Sequence, residues 1–297
     1  MLRDMCIEEF VDYLSKERKM SQNSLEAYKR DVLDFFAFAE EKGVSEAKNA
    51  SNTEIVSYLF KLRNDGKSAS TINRKLASVR AFFNYMVISG ETAANPTTGI
   101  KTPKVERKEL EYLTLDEVDR LLSMPDSSNR GIRDSAILEL LYATGIRVNE
   151  IIAANVEDVN LRIGFFTCPG DHGKARIIPM GRPARSAMEK YIYEARDVMM
   201  KDAGSDRALF VNYYGQRMTR QGLWKVLKEY ASKASLEHKL TPHTLRNSFA
   251  VHMIQNGADL KSLQELLGHE DIAATQIYLS VTKNRIKDVY DRTHPRA

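Results

Sequence analysis

The sequence predicts a mainly α-helical protein with one small β-hairpin, divided into two domains. Three observations predict this. Apolar residues recur at helical spacing over most of the 297 residues. Two short runs rich in β-branched and aromatic residues, 162–168 (RIGFFTC) and 174–180 (KARIIPM), flank the turn Pro169–Gly173 and read as a hairpin. The stretch 90–110, GETAANPTTGIKTPKVERKEL, carries two Gly, two Pro and four Thr with no apolar period, so it reads as a linker. The expected domains are therefore 1–90 and 109–297, joined by 91–108.

In the first domain the apolar stripes define four helices. Cys6, Ile7, Phe10, Val11 and Leu14 set a helix over 3–17. Leu25, Tyr28, Val32, Phe35, Phe36 and Ala39 set a second over 24–42, opened by Asn23 and Glu26 at capping-box spacing and closed by Gly43. Ser51 and Glu54 open a third over 52–64, with Gly66 beyond its end. Ile72, Leu76, Val79, Phe82, Phe83 and Met86 set a fourth over 69–88. Residues 67–90 hold Lys67, Arg74, Lys75 and Arg80 and no acidic residue. These cations fall mostly off the apolar stripe. Such a face suits the solvated side of a plain bundle as well as a DNA clamp.

The second domain opens with Thr114 and Glu117, a capping box before Val118, Leu121 and Leu122. A stronger helix is expected over 131–143, closed by Gly145, and a short one from about Val148. After the hairpin the pattern is helical at about 184–200, 219–234, 243–256, 259–267, 271–279 and 282–291.

Composition excludes several classes. The longest stretch without Lys, Arg, Asp or Glu is the twelve residues 247–258, far short of the roughly 20 apolar residues of a membrane span. The N-terminus, MLRDMCIEEF, is acidic where a signal peptide needs an apolar core, so a cytoplasmic protein with no membrane partner is expected. Cys6 and Cys168 have no metal-ligand spacing around them and read as small apolar residues. Forty-four basic against forty acidic residues give a net charge of +4, a mild lean towards polyanions.

Five pieces of the second domain could carry chemistry: Arg147 just after Gly145; the hairpin with His172, Lys174 and Arg176; His243 and Arg246 at i, i+3 on one helix face; His269 just past a helix end; and Tyr278 nine residues later. Each alone has an ordinary structural explanation. Together, LLYATGIRVNE (140–150), MTRQGLWK (218–225), TPHTLRNSFAVHMIQNGADLKSLQELLGH (241–269), TQIYL (275–279) and the tail HPRA (294–297) resemble the tyrosine recombinases of the Xer type over essentially the whole chain.

The resemblance implies an N-terminal four-helix, SAM-like core-binding domain and an α+β tyrosine-recombinase catalytic domain. It implies Arg147, His243, Arg246 and His269 around the scissile DNA phosphate and Tyr278 as the nucleophile that forms a 3′-phosphotyrosine. The residue types suit that chemistry. A phenol forms a covalent intermediate, and guanidinium forks match phosphate oxygens. No metal, cofactor or ATP is expected, because the phosphotyrosine retains the energy of the broken diester. Arg74 and Arg80, on the fourth helix, and Arg217 and Arg220, at the start of the 219–234 helix, are the expected DNA contacts, so binding should weaken steeply with salt. The implied partners are double-stranded DNA at a specific recombination site and a tetramer of this chain with itself or with a related recombinase. Activation by a DNA translocase is left open. The tail after Tyr278 would dock into a neighbouring subunit.

Two positions depart from the family pattern. Xer hairpins carry Gly-Lys-Gly at the turn, and that first lysine is assigned as the general acid. Here Gly170-Asp171-His172-Gly173-Lys174-Ala175-Arg176 places Asp171 there, and an Asp protonates a leaving alkoxide only with a strongly raised pKa. Three readings stay open: Lys174 reaches in, His172 serves as the acid, or cleavage is slow or partner-dependent. Lys174 is carried forward. The second departure is Asn247, where many relatives have His. A helical 243–256 turns Asn247 about 100° from Arg246, which predicts a supporting place outside the site. The function expected is dimer resolution at chromosome or plasmid segregation. The alternatives are a mobile-element integrase, and a DNA-binding partner impaired in catalysis.

Overall fold

The structure is a computed structural model, and it describes residues 2–44, 46–104, 109–169, 175–200 and 207–279. The chain forms two compact units, Met1–Lys108 and Glu109–Ala297.

The first unit holds α1 (Leu2–Lys16), α2 (Gln22–Glu41), α3 (Asn52–Asn64) and α4 (Ala69–Ile88). Side-chain caps start three of them. Ser21 begins α2, Ser51 with Glu54 forms the predicted capping box of α3, and Ser68 begins α4. The cap of α2 lies two residues upstream of the predicted Asn23, which sits inside the first turn. The predicted stripes meet in one core. Phe10, Phe35, Phe36, Phe82 and Phe83 pack edge to face, with ring centroids 5.2–6.1 Å apart. Each such ring removed from water stabilises by about 2 kcal/mol.

The cations of α4 do more than face solvent. Asp31 of α2 is fully buried and accepts from Arg74, from Lys75 at 3.3 Å and from Ser78 at 2.9 Å. Lys75 also bonds Asp34 at 2.5 Å. The stretch expected as a linker is, up to its described end, bonded to this unit. Asn52 donates to Pro96 O at 3.1 Å, Asn73 to Pro103 O at 2.9 Å and Arg80 to Ile100 O at 3.0 Å.

In the second unit α5 (Leu115–Leu122) starts from the Thr114–Glu117 capping box, and α6 (Asn129–Thr144) runs through the middle of the core. It packs against α11 (Pro242–Gln255), against α8 (Arg182–Lys190) and against the π-helical turn Tyr191–Arg196 that leads into α9 (Asp197–Met200). The predicted helix 184–200 is thus one run with a widened middle. There Tyr191 stacks on Phe210 at 5.2 Å, its hydroxyl accepts from Val211 N at 3.3 Å, and Arg196 donates to Ala208 O at 2.8 Å.

The hairpin strands β2 (Phe165–Cys168) and β3 (Arg176–Pro179) pair antiparallel, Cys168 opposite Arg176. A two-residue strand β1 (Val159–Asn160), too short to show an alternation, adds a third member in the order β1-β2-β3. The remaining helices are α7 (Val148–Ala153), α10 (Arg220–Lys233), α12 (Leu260–Leu267) and α13 (Ala273–Gln276). The expected helix 271–279 is reduced to α13 with turns on either side, and the expected helix 282–291 lies outside the described residues. No helix among the described residues is long and apolar enough to cross a membrane.

Candidate active site

Two glycines that end helices build the floor of the site. Gly145 closes α6 at φ +58°, a conformation that L side chains rarely adopt, and a Cβ there would stand 2.4 Å from the Phe249 ring. This close approach turns the Gly145 carbonyl to Arg246 of α11, whose guanidinium donates to it. Gly268 closes α12 in the same way at φ +63°. Its carbonyl accepts from Arg147 at 2.9 Å, and the neighbouring Leu267 carbonyl accepts from Arg246 at 2.7 Å. Backbone carbonyls at two helix ends thus aim the two predicted arginines.

Glu150 fixes Arg147 further. The pair sits at i, i+3, so the carboxylate accepts the Arg147 backbone N–H at 2.6 Å and its guanidinium at 2.9 Å. Arg176 reaches the same carboxylate with a two-pronged contact, 2.8 Å on each oxygen. Burial alone would raise the Glu150 pKa. The Arg176 bonds, the Arg147 N–H and both guanidinium charges outweigh burial and hold it at about 2.

His269 follows Gly268. Its Nε2 lies 2.9 Å from Arg246 Nη2 and its Nδ1 lies 2.9 Å from Thr275 Oγ1. A guanidinium only donates, so Nε2 accepts and the ring proton sits on Nδ1, directed at Thr275. Burial, and then the positive charges of Arg246, Arg147 and Arg176, press the His269 pKa down to about 4, which leaves a neutral imidazole at neutral pH. Burial and the nearby Arg147 also lower Arg246, to about 10.

Tyr278 closes the site. It is 3% exposed, packed in a small core with Phe249, Leu263 and Leu267, and burial raises its pKa. Its hydroxyl donates to Asn247 Oδ1 at 3.2 Å, while Asn247 Nδ2 donates to Glu111 O at 2.9 Å. The expectation that Asn247 turns out of the site is therefore corrected. It does turn away from Arg246 on its own helix, but Tyr278 approaches from another element and meets it there.

Arg147, Arg246, His243, His269, Asn247 and Tyr278 line one cleft of about 360 Å³, with Arg220 at its wall. His243, second residue of α11, is exposed, and Arg147 is 36% exposed. Three of the five N–H groups of Arg246 are committed to the Gly145 and Leu267 carbonyls and to His269, and its guanidinium also interacts with the Tyr278 hydroxyl.

The other predicted DNA contacts lie elsewhere. Arg217 clamps the end of α7, donating to Ile152 O, Ala153 O and Ala154 O at 2.9–3.0 Å and to Asn155 Oδ1 at 2.6 Å. Arg74 and Arg80 carry the contacts given above within the first unit. Lys174, with Asp171 and His172, lies outside the described residues. Neither cysteine is in a disulfide, and burial pushes Cys168 up to about 12. The sequence reading missed Glu150, although its i, i+3 spacing from Arg147 was a usable signal. It had no signal for Thr275.

A buried phenol beside converging guanidiniums suits the chemistry of a tyrosine recombinase. The chain belongs to the phage integrase family: the family model matches residues 111–285, and that of the phage integrase N-terminal SAM-like domain matches residues 7–90. The chain is 45% identical over 295 residues to the tyrosine recombinase XerD of Oceanobacillus iheyensis, covering 99% of both chains. It is 44% identical to the XerD of Listeria monocytogenes, covering 98% of this chain and 99% of the relative. Its fold matches the XerH site-specific recombinase bound to a palindromic difH substrate, with a TM-score of 0.75, 21% identity and coverage of 95% and 83%.

Proposed function

We propose that this Xer-type tyrosine recombinase cuts and rejoins duplex DNA at a specific site and resolves chromosome or plasmid dimers at segregation, in the cytoplasm. In this reading Arg147, His243, Arg246 and His269 hold the scissile phosphate. The Tyr278 hydroxyl gives up its proton to solvent as its oxygen attacks phosphorus, the bond from phosphorus to the 5′ oxygen breaks, and the Lys174 ammonium supplies a proton to that oxygen. Ligation is the reverse, so neither metal nor ATP enters. One observation supports the reading above the others: among the described residues Glu150 is the carboxylate that faces the guanidiniums of Arg147, Arg176 and Arg246, and two of these, Arg147 and Arg246, line the cleft that holds the tyrosine. Such an excess of positive charge calls for an anion.

The relatives named XerD support dimer resolution over a mobile-element role. The active assembly would be a tetramer of this chain, alone or with a second recombinase, with a DNA translocase as its activator and the segment after Tyr278 docked into a neighbour. In that case deleting 291–297 reduces recombination while site binding persists. Arg220, at the cleft, is the foremost phosphate contact of the four predicted arginines.

Asp171 favours a second reading, a partner that binds DNA without cutting it. A nicked suicide duplex carrying a candidate recombination site separates the two, since the nick lets the departing strand diffuse away. Wild type should form a covalent adduct that resists denaturing electrophoresis, and Tyr278→Phe should form none. Loss with Lys174→Ala assigns the acid to Lys174, and loss with His172→Ala alone assigns it to His172. Binding without any adduct, even with a partner recombinase present, would put the second reading first.

A further inference from the structure

Arg176 opens β3 and does not line the cleft, yet it touches what the cleft is made of. Its side chain is 13% exposed. Its Nη1 and Nη2 each donate to one oxygen of Glu150 at 2.8 Å, and its Nε donates to the carbonyl of Leu266, near the end of α12, at 2.8 Å. Gly268 packs so closely on this guanidinium that a Cβ there would stand 2.9 Å from Nη1. The same Gly268 offers its carbonyl to Arg147 and precedes His269. One planar group therefore bridges the carboxylate that holds Arg147 and the backbone that presents His269.

The geometry assigns Arg176 a positioning role: it locks Glu150 and the end of α12 in one register, so that Arg147 and His269 converge on the same phosphate. This rests on the recombinase reading above. It differs from a plain structural ion pair in what it predicts. Loss of a staple lowers the melting temperature and leaves cleavage per folded molecule alone. Loss of a positioning group slows cleavage while DNA binding, spread over many contacts, persists. The fork itself matters, because lysine at this position brings a point charge and cannot span both carboxylate oxygens while also reaching Leu266 O.

The test uses the full chain, with Arg176→Lys and Arg176→Gln. Duplex binding and adduct formation on the nicked suicide duplex are measured separately, and far-UV circular dichroism gives the folded fraction. Binding should stay within about twofold, and the adduct rate should fall roughly ten- to hundredfold, more for Gln than for Lys. The pH dependence adds a readout that a staple does not move. Glu150 is faced by Arg147 at the start of α7, Cys168 of β2, Arg246 of α11 and His269 after α12. Without Arg176, burial pushes its carboxyl up, so the ratio of variant to wild-type rate should drop further as pH falls from about 8 to about 5.5. In a Glu150→Gln background, Arg176→Gln should add little.

Equal rates per folded molecule with a pH-independent ratio would overturn the inference, as would full additivity with Glu150→Gln. If Arg176→Gln does not fold, Arg176→Lys decides alone, and wild-type cleavage in that variant overturns the role. If wild type itself forms no adduct, the recombinase reading fails and takes this inference with it. A normal wild-type adduct beside a normal Arg176→Lys sinks only the inference.

Discussion

Both units surround a carboxylate with cations, and one cluster ends balanced while the other ends with positive charge in excess. In the first, Asp31 and Asp34 meet Arg74 and Lys75, two acids against two bases, all on α2 and α4. The charges balance, Asp31 is sealed from solvent, and the cluster ties two helices together. In the second, Glu150 is, among the described residues, the carboxylate that meets Arg147 and Arg176, with Arg246 near enough that burial and then Arg147 lower its pKa. Charge is left over, and it faces a cleft. Similar parts make a staple in one place and the proposed anion site in the other, and the difference lies in stoichiometry and exposure rather than in residue type.

The largest test of that contrast exchanges stability for activity. On the proposed reading Arg147→Ala removes a donor to the phosphate, so adduct formation should fall about 10³-fold, or about 4 kcal/mol, with a small change in melting temperature because the side chain is part-exposed. Asp31→Asn should do the reverse. It leaves Arg74 and Lys75 without their buried counter-charge and should cost about 3 kcal/mol of stability in urea unfolding, with cleavage per folded molecule unchanged. If Asp31→Asn blocked cleavage in folded protein, or if Arg147→Ala merely unfolded it, the division into staple and site would collapse.

A smaller effect is expected at Asn247. Asn247→Leu keeps the volume and removes the acceptor of the Tyr278 proton, so the phenol loses its orientation within a packed pocket. Adduct formation should change by about tenfold, the size of one hydrogen bond, with duplex binding intact. No change would make the 3.2 Å contact incidental.

These tests also mark what the sequence could and could not disclose. The helices of the first unit were legible because each buries one continuous stripe, and a stripe such as Ile72, Leu76, Val79 and Phe83 is a property of one segment. Arg147, Arg246, His269 and Tyr278 were legible as residue types with motif context, and the structure brings them to one cleft with His243 at its rim. What stayed hidden was pairwise and distant. Arg176 meets Glu150 across 26 residues and Leu266 across 90, and no local period records such a contact. Asn247 was misplaced because a helical wheel locates a residue relative to its own helix only. The π-helical turn at Tyr191–Arg196 escaped because its partners, such as Phe210 stacked on Tyr191, lie in a segment beyond the helix.

The smallest expected effect probes the cause of the imbalance itself. His269 is held near pH 4 first by burial and then by three arginine charges. Burial will not lessen when DNA arrives, but a phosphate among the guanidiniums cancels part of their field. The His269 pKa should therefore rise on binding, so a proton is taken up and affinity for the site strengthens as pH falls from about 6.5 towards 4. For the free protein the sign is the reverse. A histidine with a lowered folded-state pKa contributes its stability fully above about 6.5, and that contribution is lost as pH falls through the window down to about 4. Nitrogen-15 spectra of the imidazole should show a neutral ring protonated at Nδ1 in the free protein at pH 6, moving towards the doubly protonated form when a site duplex is added. His269→Asn should erase the extra pH dependence of binding. The balanced cluster around Asp31 has no excess field for an anion to cancel, so the melting deficit of Asp31→Asn should be the same with and without DNA. A His269 ring that ignores the duplex would mean that burial alone sets its state, and the leftover charge would then not be what draws the phosphate in.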